Sequence, residues 1–329
     1  MSSLERELNG VLEAARLDRK QAAVVAARLG WDGAGTTTLA AAGEPVRYSR
    51  ERVRQLETRL RTHAVRSPAI YPSTTNALRL LEAWAPVASD DAARRLSARG
   101  IAERPFAPSG LLAAAEVLGI AHRLEESDGI VLEDGQAELA ARIADEAGRV
   151  FVRDGVGTVE AVARAFGGLL SHARIRALLS CRTEVSWLDN GREYFLVTSI
   201  PKSRAVTALK KMLALSPSLR IADVANGIRR SLRTTLPADA VAALCASQHW
   251  VAVERDTVRS RTSIDDRVLT PGERKVVAMF RSEGPTLRFS DALQLAERND
   301  LTPASVRFHL VRTPVLRAVT RGRYALLGS

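Results

Sequence analysis

The chain is poor in cysteine, in aromatic residues, in lysine and in long apolar runs, and each shortage excludes something. Its two cysteines, Cys181 and Cys245, have no CxxC spacing, which leaves no disulfide framework and no thiolate zinc site. Aromatics make up only 5% of the residues, while Ala and Leu dominate, so helices packed through aliphatic faces are expected rather than a large aromatic-rich sheet. No stretch reaches the roughly 18 apolar residues that a membrane span needs. The opening MSSLERELNG is charged and lacks the apolar segment of a signal peptide. These features predict a protein of the cytoplasm with no membrane partner. The five histidines, His63, His122, His172, His249 and His309, are scattered, and none sits in HExxH or at ligand spacing from a cysteine. GxxxxGK[ST], GxGxxG and GxSxG are all missing, "FGGLLSH" reads as a helix–helix turn, and Asp265-Asp266 reads as part of a linker. No catalytic constellation emerges, so neither an enzyme nor a cofactor is expected.

At 329 residues with 46% hydrophobic content, the chain suits two to five modules with real cores. Its net charge is +11, which implies an anionic partner, most simply nucleic acid. Of the 48 basic residues only five are Lys. Arg suits bidentate contact with phosphates and guanine edges, although a genome-wide preference for Arg codons gives the same ratio. The placement of the charge says more. Arg47 to Arg66 holds seven Arg against two Glu, Pro201 to Thr235 holds eight basic residues against Asp223, and Leu301 to Ser329 holds five Arg and no acid. The rest of the chain is net acidic. Basic stripes on an acidic body have the character of binding faces, and a basic protein of this kind is expected at the nucleoid.

A repeat organises most of the length, and its C-terminal copy is the clearest. There, Pro271 to Ser282 predicts a helix. Leu287 to Phe289 is a short extended piece, Ser290 caps a second helix, and "LTPASVRFHLVRTP" is a third, with Thr302 as cap and Pro303 at its first position. "VLRAVTRGRYALL" closes as two strands around Arg321-Gly322. Three helices and a terminal hairpin describe a winged helix. The pattern recurs over Ser218 to Ser260 and Gly157 to Ser199, with third helices starting at the evenly spaced positions Ser171, Pro237 and Pro303. Tyr194 and Tyr324 fall in the final strand of their copies. A divergent fourth copy is placed over about Ala69 to Asp134, with Pro108 opening its third helix. "RTSIDDRVLTPGE" is read as a hinge between the last two copies. The expected domains are 1–66, 67–135, 136–200, 201–263 and 264–329. The last copy, "GPTLRFSDALQLAERNDLTPASVRFHL…RAVTRGRYALL", resembles the winged helix of the delta subunit of bacterial RNA polymerase and of some restriction-linked and chromatin proteins. The likeness is confined to this copy and rests on "GRYALL" and the helix spacing.

The N-terminal basic stripe has a different order. Leu17 to Leu29 predicts a helix ending at Gly30. "TTTLAAAGEPV" gives a short helix stopped by Gly43 and Pro45, and Ser49 caps a third running to about Arg61. Two short helices feeding a longer basic one is helix-turn-helix order. On a wheel, Val53, Leu56 and Leu60 form one stripe, while Glu51, Gln55 and Thr58 lie opposite. Arg50, Arg54 and Arg61 take one flank, Arg52 and Arg59 the other. A polar ridge between Arg rows suits a major groove, the ridge meeting base edges and the flanks phosphates. Arg54 suits guanine, Gln55 adenine, and Glu51 can accept from cytosine. The rival is a solvated helix with Glu and Arg at helical spacing. "TLAAAGEPVRYSRERVRQLETRL" resembles region four of primary sigma factors, which reads the −35 promoter element. The resemblance implies that Arg50, Glu51, Arg54 and Gln55 contact bases; the ridge and its borders add Thr58 at the bases and Arg47, Arg52, Arg59 and Arg61 on phosphates. Only the short stretch Met1 to Arg16 precedes this element, so a region two is expected to be lacking. The reading is therefore a sigma-like reader rather than a sigma factor.

The third helices of the other copies divide. "SHARIRALL" presents His172, Arg174 and Arg176. "TPASVRFHLVR" presents Ser305, Arg307, His309 and Arg312, next to a wing with Arg321 and Arg323. These are candidate secondary DNA contacts. "PSGLLAAAEVLG" and "LPADAVAALCA" are apolar, and predict interfaces between modules or between subunits of a homodimer. Lys210, Lys211, Arg229, Arg230 and Arg233, on the first two helices of the 201–263 copy, are candidate phosphate holders. Cys181 and Cys245, each ending a third helix, are expected to be core residues. The expected fold is mainly α, an N-terminal helix-turn-helix followed by tandem winged-helix modules with small β-hairpin wings. The expected partners are double-stranded DNA and RNA polymerase. A protein-binding adaptor in an anti-phage or restriction assembly, with DNA only as a tether, is the alternative.

Overall fold

A computed structural model describes residues 3–66, 69–232 and 234–328. The chain divides into two compact units, Met1–Arg142 with Ala177–Arg182, and Ile143–Arg176 with Thr183–Ser329. Both are mainly helical, with small three-stranded antiparallel sheets.

The first unit opens with a helix that the sequence reading did not assign. In α1 (Leu4–Ala14), Leu4, Leu8, Val11 and Leu12 recur at helical spacing and are buried, and the Ser3 hydroxyl accepts from the Arg6 amide. α2 (Arg19–Leu29) is capped by Asp18, whose carboxylate accepts from the Gln21 amide at 2.8 Å, and it ends at left-handed Gly30. α3 (Leu39–Gly43), capped by Thr38, runs into a 3₁₀ turn at Glu44–Val46. α4 (Arg50–Arg66) starts after Ser49, whose hydroxyl accepts from the Arg52 amide. It continues past the predicted end near Arg61, because Ala64 extends the buried stripe of Val53, Leu56 and Leu60 by one turn. Then come α5 (Pro72–Trp84), β1 (Val87–Ala88), α6 (Ser89–Ala98), α7 (Pro108–Leu118), β2 (Leu124–Ser127) and β3 (Ile130–Glu133). The Glu7 carboxylate of α1 accepts from the Ser73 and Thr74 amides at 2.9 and 2.8 Å, placing a negative charge at the N-terminus of α5.

One core runs from Leu4 to Val131 and includes residues on both sides of the boundary expected at 66/67. The join is made by α7, which packs against α2, α4, α5 and α6. Its apolar composition thus serves an interface inside the chain. At the closest point, a Cβ on Gly110 of α7 would lie 2.2 Å from the carbonyl oxygen of Gly30. That oxygen is backbone and cannot turn aside. Gly110→Ala is expected to cost about 1–3 kcal/mol by overpacking, read as a lower melting temperature by circular dichroism. An unchanged melt would show that the α2–α7 approach is loose.

α8 (Ala137–Asp154) comes next in the chain. There follow β4 (Gly157–Thr158), α9 (Val159–Ala165), α10 (His172–Ser180), β5 (Val185–Trp187) and β6 (Tyr194–Val197). Next come α11 (Arg204–Leu215), β7 (Ser218–Arg220), α12 (Ile221–Leu232), α13 (Ala238–Ala246), β8 (Val251–Glu254) and β9 (Thr257–Ser260). The chain closes with α14 (Pro271–Glu283), β10 (Thr286–Arg288), α15 (Phe289–Gln294), α16 (Pro303–Arg312), β11 (Leu316–Thr320) and β12 (Arg323–Leu326). The order helix, strand, two helices, hairpin therefore recurs from α5, α8, α11 and α14. In each sheet the last strand is central, paired with the lone strand on one side and its hairpin mate on the other. The third helices start at Pro108, His172, Ala238 and Pro303, each at its expected position or the one after it.

Two local expectations are corrected. Ser290 lies inside α15 and does not cap it; the cap is Arg288, which has no side-chain cap bond, and the Ser290 hydroxyl bonds to Asp291. The stretch read as a hinge is packed: a 3₁₀ turn at Asp266–Val268 lies against α11, and Leu269 is buried.

Lys211 and Arg230, expected at phosphates, instead hold the last two copies together. Lys211 reaches the buried Glu273 of α14 at 2.7 Å. Glu273 also accepts from the Thr313 hydroxyl at 3.0 Å and from the Thr270 amide at 2.8 Å, the latter within a capping box. Arg230 of α12 donates to the carbonyls of Leu310 and, at 3.3 Å, Thr313 at the C-terminal end of α16, and lies over the Tyr324 ring. His309 is buried against this cluster and is likewise corrected: it faces the core, not solvent. Arg233 lies outside the described residues.

Candidate nucleic-acid interface

α4 presents two chemically distinct sides. Val53 packs with Val24 and Ala42, and Leu56, Leu60 and Ala64 enter the main core, which fixes the helix against α2 and α3. Burying each of the larger aliphatic side chains is worth about 1.5–3 kcal/mol, enough to set the rotation of the helix. The opposite side is exposed and polar: Glu51, Arg54, Gln55 and Thr58 form a continuous ridge. Arg47, Arg50, Arg52 and Arg59 are also exposed. Arg47 and Arg50 make no side-chain hydrogen bond or ion pair among the described residues. Arg47 is held in the left-handed region at φ 58° as the 3₁₀ turn ends, which brings the chain round into α4.

The ridge is bonded to itself. The Arg54 guanidinium donates to both Glu51 oxygens, at 2.9 and 2.8 Å, and Gln55 donates to Glu51 at 3.5 Å. Arg52 donates to the Gln55 oxygen at 3.5 Å, and the Thr58 hydroxyl donates to the Arg54 carbonyl. The hydrogen bond from Arg54 holds the Glu51 carboxyl below its ordinary value, and the reverse contact raises Arg54. With side chains 64% and 56% exposed, this pair is weak and opens readily toward a ligand.

Two flank residues differ from expectation. Arg61 is half-buried and pairs with Glu57 at 2.9 Å, and Glu57 is also met by Arg28 of α2 at 3.4 Å. Glu57 is thus the bridge between α2 and α4, and Arg61 supports it from within α4. Arg59 is exposed and donates to the Arg16 carbonyl at 3.1 Å, which uses one of its five N–H groups. The Glu57 brace escaped the sequence reading, although an i, i+4 Glu–Arg pair is visible in it.

Behind α4 a cavity of about 700 Å³ opens, lined by Arg28, Glu57, Arg61, Glu116, Glu125 and Glu126, among others. Among the remaining candidates, Arg176 is half-buried and pairs with Glu193 at 3.1 Å. His172 and Arg174 are half-buried. Lys210 is exposed with its ammonium 5.5 Å from the Trp250 ring centre, and Arg229 is exposed and donates to Asn226. Arg307, Arg321 and Arg323 are exposed. The sequence reading missed that Phe308, Val311 and Val319 of the same copy are exposed too.

Cys245 is fully buried, and burial pushes its thiol up to about 12. The native protein is expected to resist alkylation at Cys245 at pH 8 and to react there only after denaturation. Mass-spectrometric mapping checks this, and rapid native labelling would refute the packing. No family model matches this chain, and no curated protein is significantly similar to it.

Proposed function

We propose that the chain is a sequence-specific double-stranded DNA-binding protein, a transcriptional regulator that reads a major groove with α4. The observation that carries the reading is the exposed ridge of Glu51, Arg54, Gln55 and Thr58, bordered by exposed Arg47, Arg50, Arg52 and Arg59, on a helix whose other side is fixed in the core. α2, α3 and α4 act as a helix-turn-helix in the manner of sigma region four, and the four repeated copies act as winged helices. RNA polymerase is the protein partner this reading favours. The helix alone accounts for both halves of recognition: a bidentate Arg and a Gln for purines, and cations at both borders for phosphates.

The rival, an adaptor whose winged helices hold other proteins, drew on the apolar third helices. α7 spends its apolar surface on α2, α4, α5 and α6 within the chain, which removes that part of its support.

The test is selection from a random duplex pool at two salt concentrations, using the full chain. An enriched motif is expected. Affinity is expected to fall with salt, α4 contributing about −3 to the slope of log K against log salt from Arg47, Arg52 and Arg59 at about 0.9 each. Salt-sensitive binding without a motif would reduce α4 to a tether.

A further inference from the structure

The terminal copy carries a surface that α4 does not explain. Val306 and Leu310 point α16 into its core, and the opposite arc holds Ala304, Arg307, Phe308 and Val311, all exposed. Phe308 is 61% exposed and Val311 50%, unusual for large apolar side chains in the middle of a helix. Beyond them, β11 and β12 meet at Arg321-Gly322. Gly322 has φ 76°, and Arg321 and Arg323 stand exposed at the tip. No acidic residue occurs between Leu301 and Ser329.

An apolar arc on a basic stretch of chain without an acid of its own calls for a partner that is polyanionic and still presents methyl groups. The thymine-lined major groove has both properties. The 5-methyl groups project into it, Ala and Phe side chains contact them, and phosphates border it on both sides. A-tracts also have a narrow minor groove of enhanced negative potential that attracts inserted Arg. We infer that residues 264–329 form a second DNA site that prefers A·T-rich duplex, with Phe308 and Val311 against thymine methyls, Arg307 on a base edge or phosphate, and Arg321 and Arg323 at the adjacent backbone or minor groove. The inference rests on the reading of the chain as a DNA-binding protein, but not on α4.

The experiment compares the full chain on an A·T-rich duplex and on the same duplex with deoxyuridine replacing every thymidine, by fluorescence anisotropy. This exchange removes the methyl groups and leaves the base-pairing edges unchanged. Wild type is expected to bind the thymidine duplex about tenfold more tightly, from two buried methyls. Phe308→Ser with Val311→Ser should abolish that difference. Arg321→Ala with Arg323→Ala should weaken both duplexes alike and reduce the salt slope by about two. All four side chains are exposed, so folding is preserved, and a thermal melt verifies it. Arg54→Ala with Gln55→Ala should leave the thymidine preference in place, which separates this site from α4. Equal binding of the two duplexes by wild type, or a preference that survives loss of Phe308 and Val311, would overturn the inference and assign the arc to a protein partner. The selected motif and its dependence on α4 would stand regardless.

Discussion

Lys211→Met is expected to lower the stability of the second unit by about 3–5 kcal/mol, the cost of leaving a buried charge without its partner. Lys211 and Glu273 have side chains only 15% and 6% exposed, so solvent cannot replace the lost ammonium. Glu273 would keep the Thr313 hydroxyl and the Thr270 amide but no cation. Met preserves the length and apolar stem of Lys, so the loss reports charge rather than volume. Each kcal/mol shifts the melting temperature of a domain this size by about 2–4 °C, so a drop of roughly 10 °C is expected. The double variant Lys211→Met, Glu273→Gln should recover much of it, because the uncompensated charge has gone. A melt indistinguishable from wild type for the single variant would show that the pair is not buried in solution.

The same cluster sets an acid limit. Burial pushes the Glu273 carboxyl up, but hydrogen bonds from Lys211 and the Thr270 amide, with the Lys211 charge, outweigh it and hold the group below its ordinary value. A depressed carboxyl contributes stability above its unfolded pKa and loses it as pH falls through the folded one. His309 acts in the same direction: burial lowers its pKa despite Glu273 nearby, so the unfolded chain takes up its proton first as pH falls below about 6.5. Unfolding free energy is therefore expected to decline from about pH 6.5 downward, more steeply below about pH 4. A profile flat from pH 7 to 5 in wild type, or unchanged by His309→Gln, would count against this assignment.

How much of this was legible beforehand depended on whether the signal was local. The starts of the third helices, the hairpin at Arg321-Gly322 and the buried stripe of α4 follow from caps, turn residues and periodicity, which act over a few neighbours. Charge partners do not. Arg54, Arg61, Arg176, Lys211 and Arg230 look alike in the chain. In the structure Arg54 pairs with Glu51 on an exposed face, Arg61 pairs with a Glu57 that also meets α2, Arg176 meets Glu193, and Lys211 and Arg230 bind the last two copies. The shared core across 66/67 was hidden for a related reason: α7 advertises an apolar interface, but its composition cannot say that the surface it covers includes α2 and α4. α1 was overlooked because its apolar residues are diluted by Glu and Arg on the outer face.

Arg54→Ala with Gln55→Ala separates a reader from a solvated helix. Both side chains are exposed and their loss opens no cavity, so stability is expected to stay within about 0.5 kcal/mol of wild type. If Arg54 and Gln55 face a guanine and an adenine, each lost bidentate contact removes about 1–3 kcal/mol of discrimination. Together they amount to roughly a hundredfold loss of affinity for the selected motif, with little change on unrelated duplex. The salt slope should barely move, since the phosphate contacts Arg47, Arg52 and Arg59 remain. Glu51→Gln alone behaves differently. Without the carboxylate that holds Arg54 at 2.8 Å, the guanidinium is released toward phosphate; binding strengthens on every sequence while the motif becomes less distinct. A uniform loss across sequences in the double variant would make Arg54 a phosphate contact. No loss at all would leave α4 as a charged outer face, and the reading of the protein would pass to its terminal copies.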